Sequence, residues 1–224
     1  TKSMWSGDNR IHHNVVRRVG KNYAFSTKPS QYSGIMNLGG TVKIYNNWVE
    51  STGQHGIHVW VQEGPKPAEG KGPFEAHIWN NVVVDAGKLW RSFMNGSFGI
   101  NVGAQSGVEK PAPFVYNNTI VNSRQRGINV NSSAAAGFVR DNIVAGTGGN
   151  PAISVPTSVE LSNNRVGSIS QMNFVDPSRM NFRLKVGSPA RNEATNGFPP
   201  TDHADVARPK EGAADQGAFE GSGS

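Results

Sequence analysis

The chain has 224 residues, no cysteine, and 22 Lys and Arg against 16 Asp and Glu, a formal charge of +6. Without cysteine there is no thiol catalysis, disulfide or thiolate metal site, and no run of 18 apolar residues spans a membrane. The length suits one domain, and the basic balance favours polyanionic partners.

In chain order, Thr1 to Asp8 reads as the tail of a preceding turn, and no amphipathic helix ahead of Ile11 caps the structure. The N-terminal end is therefore expected to be open, with upstream turns lost or a partner covering it. Six copies of one short phrase follow. The clearest are Val42-Lys43-Ile44-Tyr45-Asn46-Asn47-Trp48-Val49, Ala76 to Val83 and Phe114 to Ile120; fainter ones are Arg10 to Val16, Phe138 to Val144 and Val159 to Val166. The second polar residue of each copy is Asn14, Asn47, Asn81, Asn118, Asn142 or Asn164, at intervals of 33, 34, 37, 24 and 22 residues. Three residues before it stand Ile11, Ile44, Ile78, Val115, Val139 and Leu161; two after it stand Val16, Val49, Val83, Ile120, Val144 and Val166. Twelve aliphatics in twelve places far exceed a composition that is 36% hydrophobic, so each phrase is a strand, a bend at Asn and a second strand. Asn tolerates left-handed corners, and stacked Asn amides can bond to one another as a ladder.

A third strand opens at Gly34-Ile35, Gly56-Ile57, Gly99-Ile100, Gly127-Ile128 and Ala152-Ile153. Insertions precede it at Arg17 to Ser33 and Asp85 to Phe98, and loops follow it at Gln62 to Pro73 and Ala104 to Pro113. The fold class is all-β: a right-handed parallel β-helix of about six turns with an Asn ladder and an irregular C-terminal closing segment. Its turns occupy residues 1–173, the closing segment 174–220 and a linker-like tail 221–224.

Two outward-facing features stand out. His12, Tyr45, Trp79 and Tyr116, with Val15, Trp48 and Val82 beside them, make an apolar corner that inserted loops, the C-terminal tail or a second subunit would cover. A platform for sugar rings is the functional alternative there. On the third strand His58, Trp60, Asn101, Asn129, Asn131 and Ser154 point out, between Lys88, Trp90 and Arg91 on one side and Lys66 and Lys71 on the other. Arg124 and Arg126 precede Gly127.

From Phe174 the chain leaves the repeat. Asp176-Pro177, Phe182-Arg183-Leu184, Gly187-Ser188-Pro189-Ala190, Asp202, Arg208-Pro209 and Asp215-Gln216-Gly217-Ala218-Phe219-Glu220 resemble the closing segment of secreted right-handed β-helix proteins of the pectate-lyase-like superfamily. Gln216 stands where that pattern has Ile, and Ala204-Asp205 where Asp-Gly is common. The resemblance implies a secreted, extracellular or periplasmic protein, and a menu of lyases, polygalacturonase-type hydrolases, epimerases and binding stalks.

Hydrolysis needs two facing carboxylates, and no outward place on the third strand holds Asp or Glu. The Asn-x-Asp and Asp-Asp motifs of polygalacturonases and the Asp-Pro-His-Asp of epimerases are absent. A lyase must neutralise a uronate carboxylate, take the C5 proton and protonate the leaving oxygen. His58 and His55 are the candidate bases, Arg126, Arg91 and Lys88 the candidate neutralising cations. Trp60, Asn101, Asn129, Asn131, Lys88 and Arg124 are the candidate substrate contacts. Each also has a plainer reading as surface or loop support. Calcium is the metal that some of these lyases would imply, but Glu50, Asp85 and Asp141 share no calcium-loop spacing, and no metal or other cofactor is assigned. The expected partner is an acidic polysaccharide rather than nucleic acid, since no nucleic-acid module is recognisable. The competing expectations are a non-catalytic glycan-binding or adhesive module, self-association through the open N-terminal end or the apolar corner, and a trimmed fragment of a longer enzyme.

Overall fold

The computed structural model describes residues 9–20, 32–61, 73–89, 96–108, 110–131, 134–195 and 197–221. Alternating aliphatics fold these into three parallel sheets wound as one coil. The first sheet stacks β1 (Asn9–His12), β4 (Val42–Tyr45), β7 (Glu75–Trp79), β10 (Ala112–Tyr116), β13 (Gly137–Arg140) and β16 (Val159–Ser162). The second stacks β2 (Val15–Val19), β5 (Trp48–Thr52), β8 (Val82–Val84), β11 (Thr119–Val121), β14 (Ile143–Ala145) and β17 (Arg165–Gly167). The third holds β3 (Ile35–Asn37), β6 (Ile57–Val61), β9 (Ile100–Ala104), β12 (Ile128–Val130) and β15 (Ile153–Ser154). Parallel crossovers take the right-handed sense, and the result is a right-handed parallel β-helix. Its tube is filled by Ile44, Ile78, Val115 and Val139 from the first sheet, Val49, Val83, Ile120 and Val144 from the second, and Ile57, Ile100 and Ile128 from the third, all fully buried.

The paired polar residues at each bend divide the labour. The first of each pair (His13, Asn46, Asn80, Asn117, Asp141, Asn163) takes the left-handed conformation. The second forms the ladder: Asn47 Nδ2 donates to Asn81 Oδ1 at 3.0 Å, Asn81 to Asn118 at 3.0 Å, Asn118 to Asn142 at 2.9 Å and Asn142 to Asn164 at 2.8 Å. The expectation that one Asn both turns the corner and forms the ladder is thus corrected: a left-handed residue leads, and the ladder Asn follows it. A second left-handed corner runs through Arg18, Ser51, Asp85, Asn122 and Gly146.

The Gly that opens each third strand is set by space. A Cβ on Gly56 would stand 2.3 Å from Val83 Cγ1 and 2.6 Å from the Gly99 carbonyl oxygen. Ala152 breaks the pattern only at the last turn, where Val166, the matching aliphatic, is half exposed.

The C-terminal segment lies along the side of the coil. β18 (Phe174–Asp176) and β19 (Asn181–Leu184) form a hairpin whose Phe174, Phe182 and Leu184 join Val82, Val121 and Ile143 in a second core on the outer face of the second sheet. Trp48 stacks near Phe182, with ring centroids 6.1 Å apart. The tail thus covers the Trp48 and Val82 side of the apolar corner, leaving Val15 exposed.

Residues 193–195 and 197–205 then run back along the left-handed corner. Asn163 donates to the Glu193 carbonyl, Thr195 Oγ1 to Asp141, Asn80 to the Thr201 carbonyl and Asn46 to Asp205. The motifs of this segment are structural. Asp202 accepts from the amides of Ala204, Val206 and Glu220. Arg208 donates to Glu220 at 3.1 Å and to the Gly217 carbonyl at 2.8 Å, out of solvent. Gln216, the departure from the family pattern, donates to the Asn163 carbonyl at 2.7 Å. Asp205 supplies the left-handed φ of 61° where Gly is common.

Candidate functional site

Register brings the third-sheet candidates into two lanes. Met36, His58, Asn101, Asn129 and Ser154 occupy one; Trp60 pairs with Gly103 in the next. Gly103 is required there, because a Cβ would meet the Trp60 ring at 2.8 Å and the Asn131 side chain at 2.7 Å. Asn129 donates to Asn101 Oδ1 at 2.8 Å, and Arg126 Nη1 donates to Asn129 Oδ1 at 3.0 Å. A guanidinium and two amides therefore form one bonded chain leading to the turn next to His58. Adjacent turns are about 4.8 Å apart, so the Asn129–Asn101 bond crosses one such spacing and His58 lies one spacing beyond Asn101.

His58 is 5% exposed, and among the described residues neither ring nitrogen has a hydrogen-bond partner. His55, in the bend before the same strand, lies with its ring centroid 4.5 Å from that of His58 and stacks on Phe98 at 5.3 Å. The Phe98 amide donates to His55 Nδ1 at 3.2 Å, which makes Nδ1 the unprotonated nitrogen. Burial lowers the pKa of His58 to about 4; it also holds His55 well below its ordinary value, with a smaller contribution from His58. Both rings are neutral at pH 7. A neutral imidazole without a partner has a lone pair to offer a proton.

Beside Arg126 opens a cleft of about 370 Å³ lined by Gly96, Phe98, Gln125, Gly148 and Asn150. Gln125, which the repeat did not single out, accepts from the amides of Gly96 and Ser97 at 2.9 Å each and fixes that wall. Phe98 was also missed; its only signal was the break in the repeat at residues 85–98.

The other candidates are less gathered. Asn131 sits just past β12 and donates to the Ala104 carbonyl. Lys88 is exposed in the bend after β8, and Arg124 lies in the matching bend one turn on, against Gly87. Arg91, Trp90, Lys66 and Lys71 fall outside the described residues. Among the described residues no three His, Asp or Glu side chains come together as a metal-binding group. On the first sheet, His12, Tyr45, Trp79 and Tyr116 stack on one another at 4.7, 4.4 and 5.8 Å with interplanar angles of 10°, 5° and 15°. The facing sides of these rings are spent on each other, which leaves a sugar the edges of the row and the outer face of His12.

No protein-family model matches the sequence, and no curated protein matches it. Among solved structures the chain is similar to that titled crystal structure of pectate lyase Pel9A, with a TM-score of 0.50 and 15% identity. The likeness is one of fold. It covers 96% of this chain and 66% of that one, so this chain spans just under two thirds of that protein's length. Both are parallel β-helices, and no helix among the described residues is long and apolar enough to cross a membrane.

Proposed function

We propose that the outer face of the third sheet binds an acidic polysaccharide outside the cell and cleaves it by β-elimination. The observation that carries this reading is His58, an unpartnered neutral imidazole one turn from the Arg126–Asn129–Asn101 chain. In this reading Arg126 neutralises the uronate carboxylate and acidifies the C5 proton. His58 takes that proton, the electron pair becomes the C4=C5 double bond, and the C4–O4 bond breaks. The leaving oxygen collects a proton from water or from the imidazolium. The depressed pKa keeps the base unprotonated well below neutrality. Contact with the sugar requires the half-exposed Trp60 ring, 5.7 Å from His58, to swing aside.

The near-complete enclosure of His58 favours a second reading, binding without turnover. Incubation with polygalacturonate, alginate and glycosaminoglycans, followed by the absorbance of unsaturated ends, separates them. Unsaturated product from the parent and none from His58→Leu supports elimination. Binding without product leaves the glycan-binding module, and neither binding nor product removes both readings.

A further inference from the structure

The last turn of the coil is unfinished. Leu161 and Val166 are 49% and 52% exposed, whereas Val139 and Val144, one turn earlier in the same lanes, are fully buried. Between them lies a hollow of about 420 Å³ lined by Pro151, Ile153, Leu161, Asn164 and Val166. Among the described residues β15, β16 and β17 each have one unpaired edge. Among the described residues the tail lies along the outer face of the second sheet and touches the flank of this turn at Asn163, leaving Leu161 and Val166 open.

The bonds broken off at this end are specific. At every earlier turn the ladder residue's carbonyl accepts from the following turn: Trp48 donates to Asn14, Val82 to Asn47, Thr119 to Asn81, Ile143 to Asn118 and Arg165 to Asn142. Each ladder residue's amide also donates to the next Oδ1, as in Asn118 to Asn142 at 3.0 Å and Asn142 to Asn164 at 3.1 Å. Asn164 is the first member for which, among the described residues, neither bond is made.

The first turn offers the opposite set. Asn14 Oδ1 receives no donor from the described residues, while Asn14 itself donates to Asn47 Oδ1 at 3.0 Å. We propose that a second copy of this chain docks head to tail on the last turn, so that the coil continues across the contact. The lanes then match by chemistry: Leu161 meets Ile11, Val166 meets Val16, Asn164 meets Asn14, and Glu160 falls opposite Arg10. Tail-to-tail docking would set one Asn164 donor against another, so the ladder's polarity selects the head-to-tail arrangement. That contact is heterologous and does not close on itself, so it builds linear stacks rather than a dimer.

The absence of cysteine gives a direct test. Register partners on adjacent parallel strands have Cα atoms about 4.8 Å apart, within disulfide reach. His12→Cys and Ser162→Cys, each made alone in the full chain and mixed under mild oxidation, are expected to give chiefly the mixed cross-link. Light scattering of the parent is expected to show mass rising with concentration past two copies. Leu161→Lys, which buries a charge at the contact, is expected to hold the mass at one copy. Circular dichroism matching the parent ensures that each variant is read in its folded form. A Ser162→Cys homodimer as the main product, or a monomeric mass up to about millimolar protein without mixed cross-link, overturns the proposal.

Discussion

His55 and His58 meet with ring centroids 4.5 Å apart at 62°, in a patch where neither nitrogen of His58 has a hydrogen-bond partner among the described residues. Burial depresses the pKa of both below that of the unfolded chain, so the unfolded state binds protons that the folded state refuses. Stability is therefore full above about pH 6.5 and falls as pH drops towards 4. From the shift to about 4, His58 alone accounts for roughly 3 kcal/mol of that loss. His58→Leu is expected to be at least as stable as the parent at pH 7, because no bond is lost, and to show a shallower acid decline in urea melts between pH 7 and 4. A large destabilisation at pH 7 would contradict the absence of a partner.

The ladder predicts a cost graded by position. Asn118 donates to the Ile78 and Tyr116 carbonyls and to Asn142, and accepts from the Asn81 side chain and main chain. Asn118→Ala orphans several buried groups and should cost about 3–5 kcal/mol. Asn164→Ala, on the last turn, should cost about 1–2 kcal/mol. Chemical denaturation of the two variants side by side measures the difference.

Gly56→Ala tests the packed corner. The added methyl meets both Val83 and the Gly99 carbonyl, and backbone cannot yield as a side-chain tip can. A loss of about 2–3 kcal/mol is expected. The same change at Gly107, where nothing lies within 4 Å but φ is +83°, should cost only about 1 kcal/mol from backbone strain. Thermal melts of both variants would show whether space or conformation dominates.

Arg208→Met removes one partner from an ion pair that is 0% and 2% exposed. Burial lowers the Arg208 pKa and raises that of Glu220, so desolvation outweighs the pair's mutual attraction. Left alone, Glu220 is expected to cost about 3–5 kcal/mol. The tail should loosen first, moving Trp48 into water; a red shift of tryptophan emission ahead of the loss of β-sheet ellipticity is the expected signature.

The coil was legible because its determinants are local and repeated. The inward aliphatics, the ladder Asn and the third-strand Gly each answer to one neighbour a turn away. The second left-handed corner was not legible: Arg18, Ser51, Asp85, Asn122 and Gly146 share a backbone conformation but no residue type. The site was legible only as a lane. Register placed His58, Asn101 and Asn129 in line, but the alternation that turned His58 outward carried no information on its burial beside His55, Phe98 and Trp60. The Arg126–Asn129 bond depends on a bend whose shape the repeat does not encode. The closing motif was recognised, yet its place on the flank came only with the partners of Asn163, Asp141, Asn80 and Asn46.

Repeat coils ordinarily gain or lose units freely, since each layer touches only its neighbours. Here Glu193, Thr195, Thr201 and Asp205 act as the marks of a ruler laid from Asn163 to Asn46, one at nearly every layer. Deleting a single layer would throw every later mark out of step. The number of layers between Asn46 and Asn163 is thereby locked, and evolution there is steered towards changes in loops rather than in length.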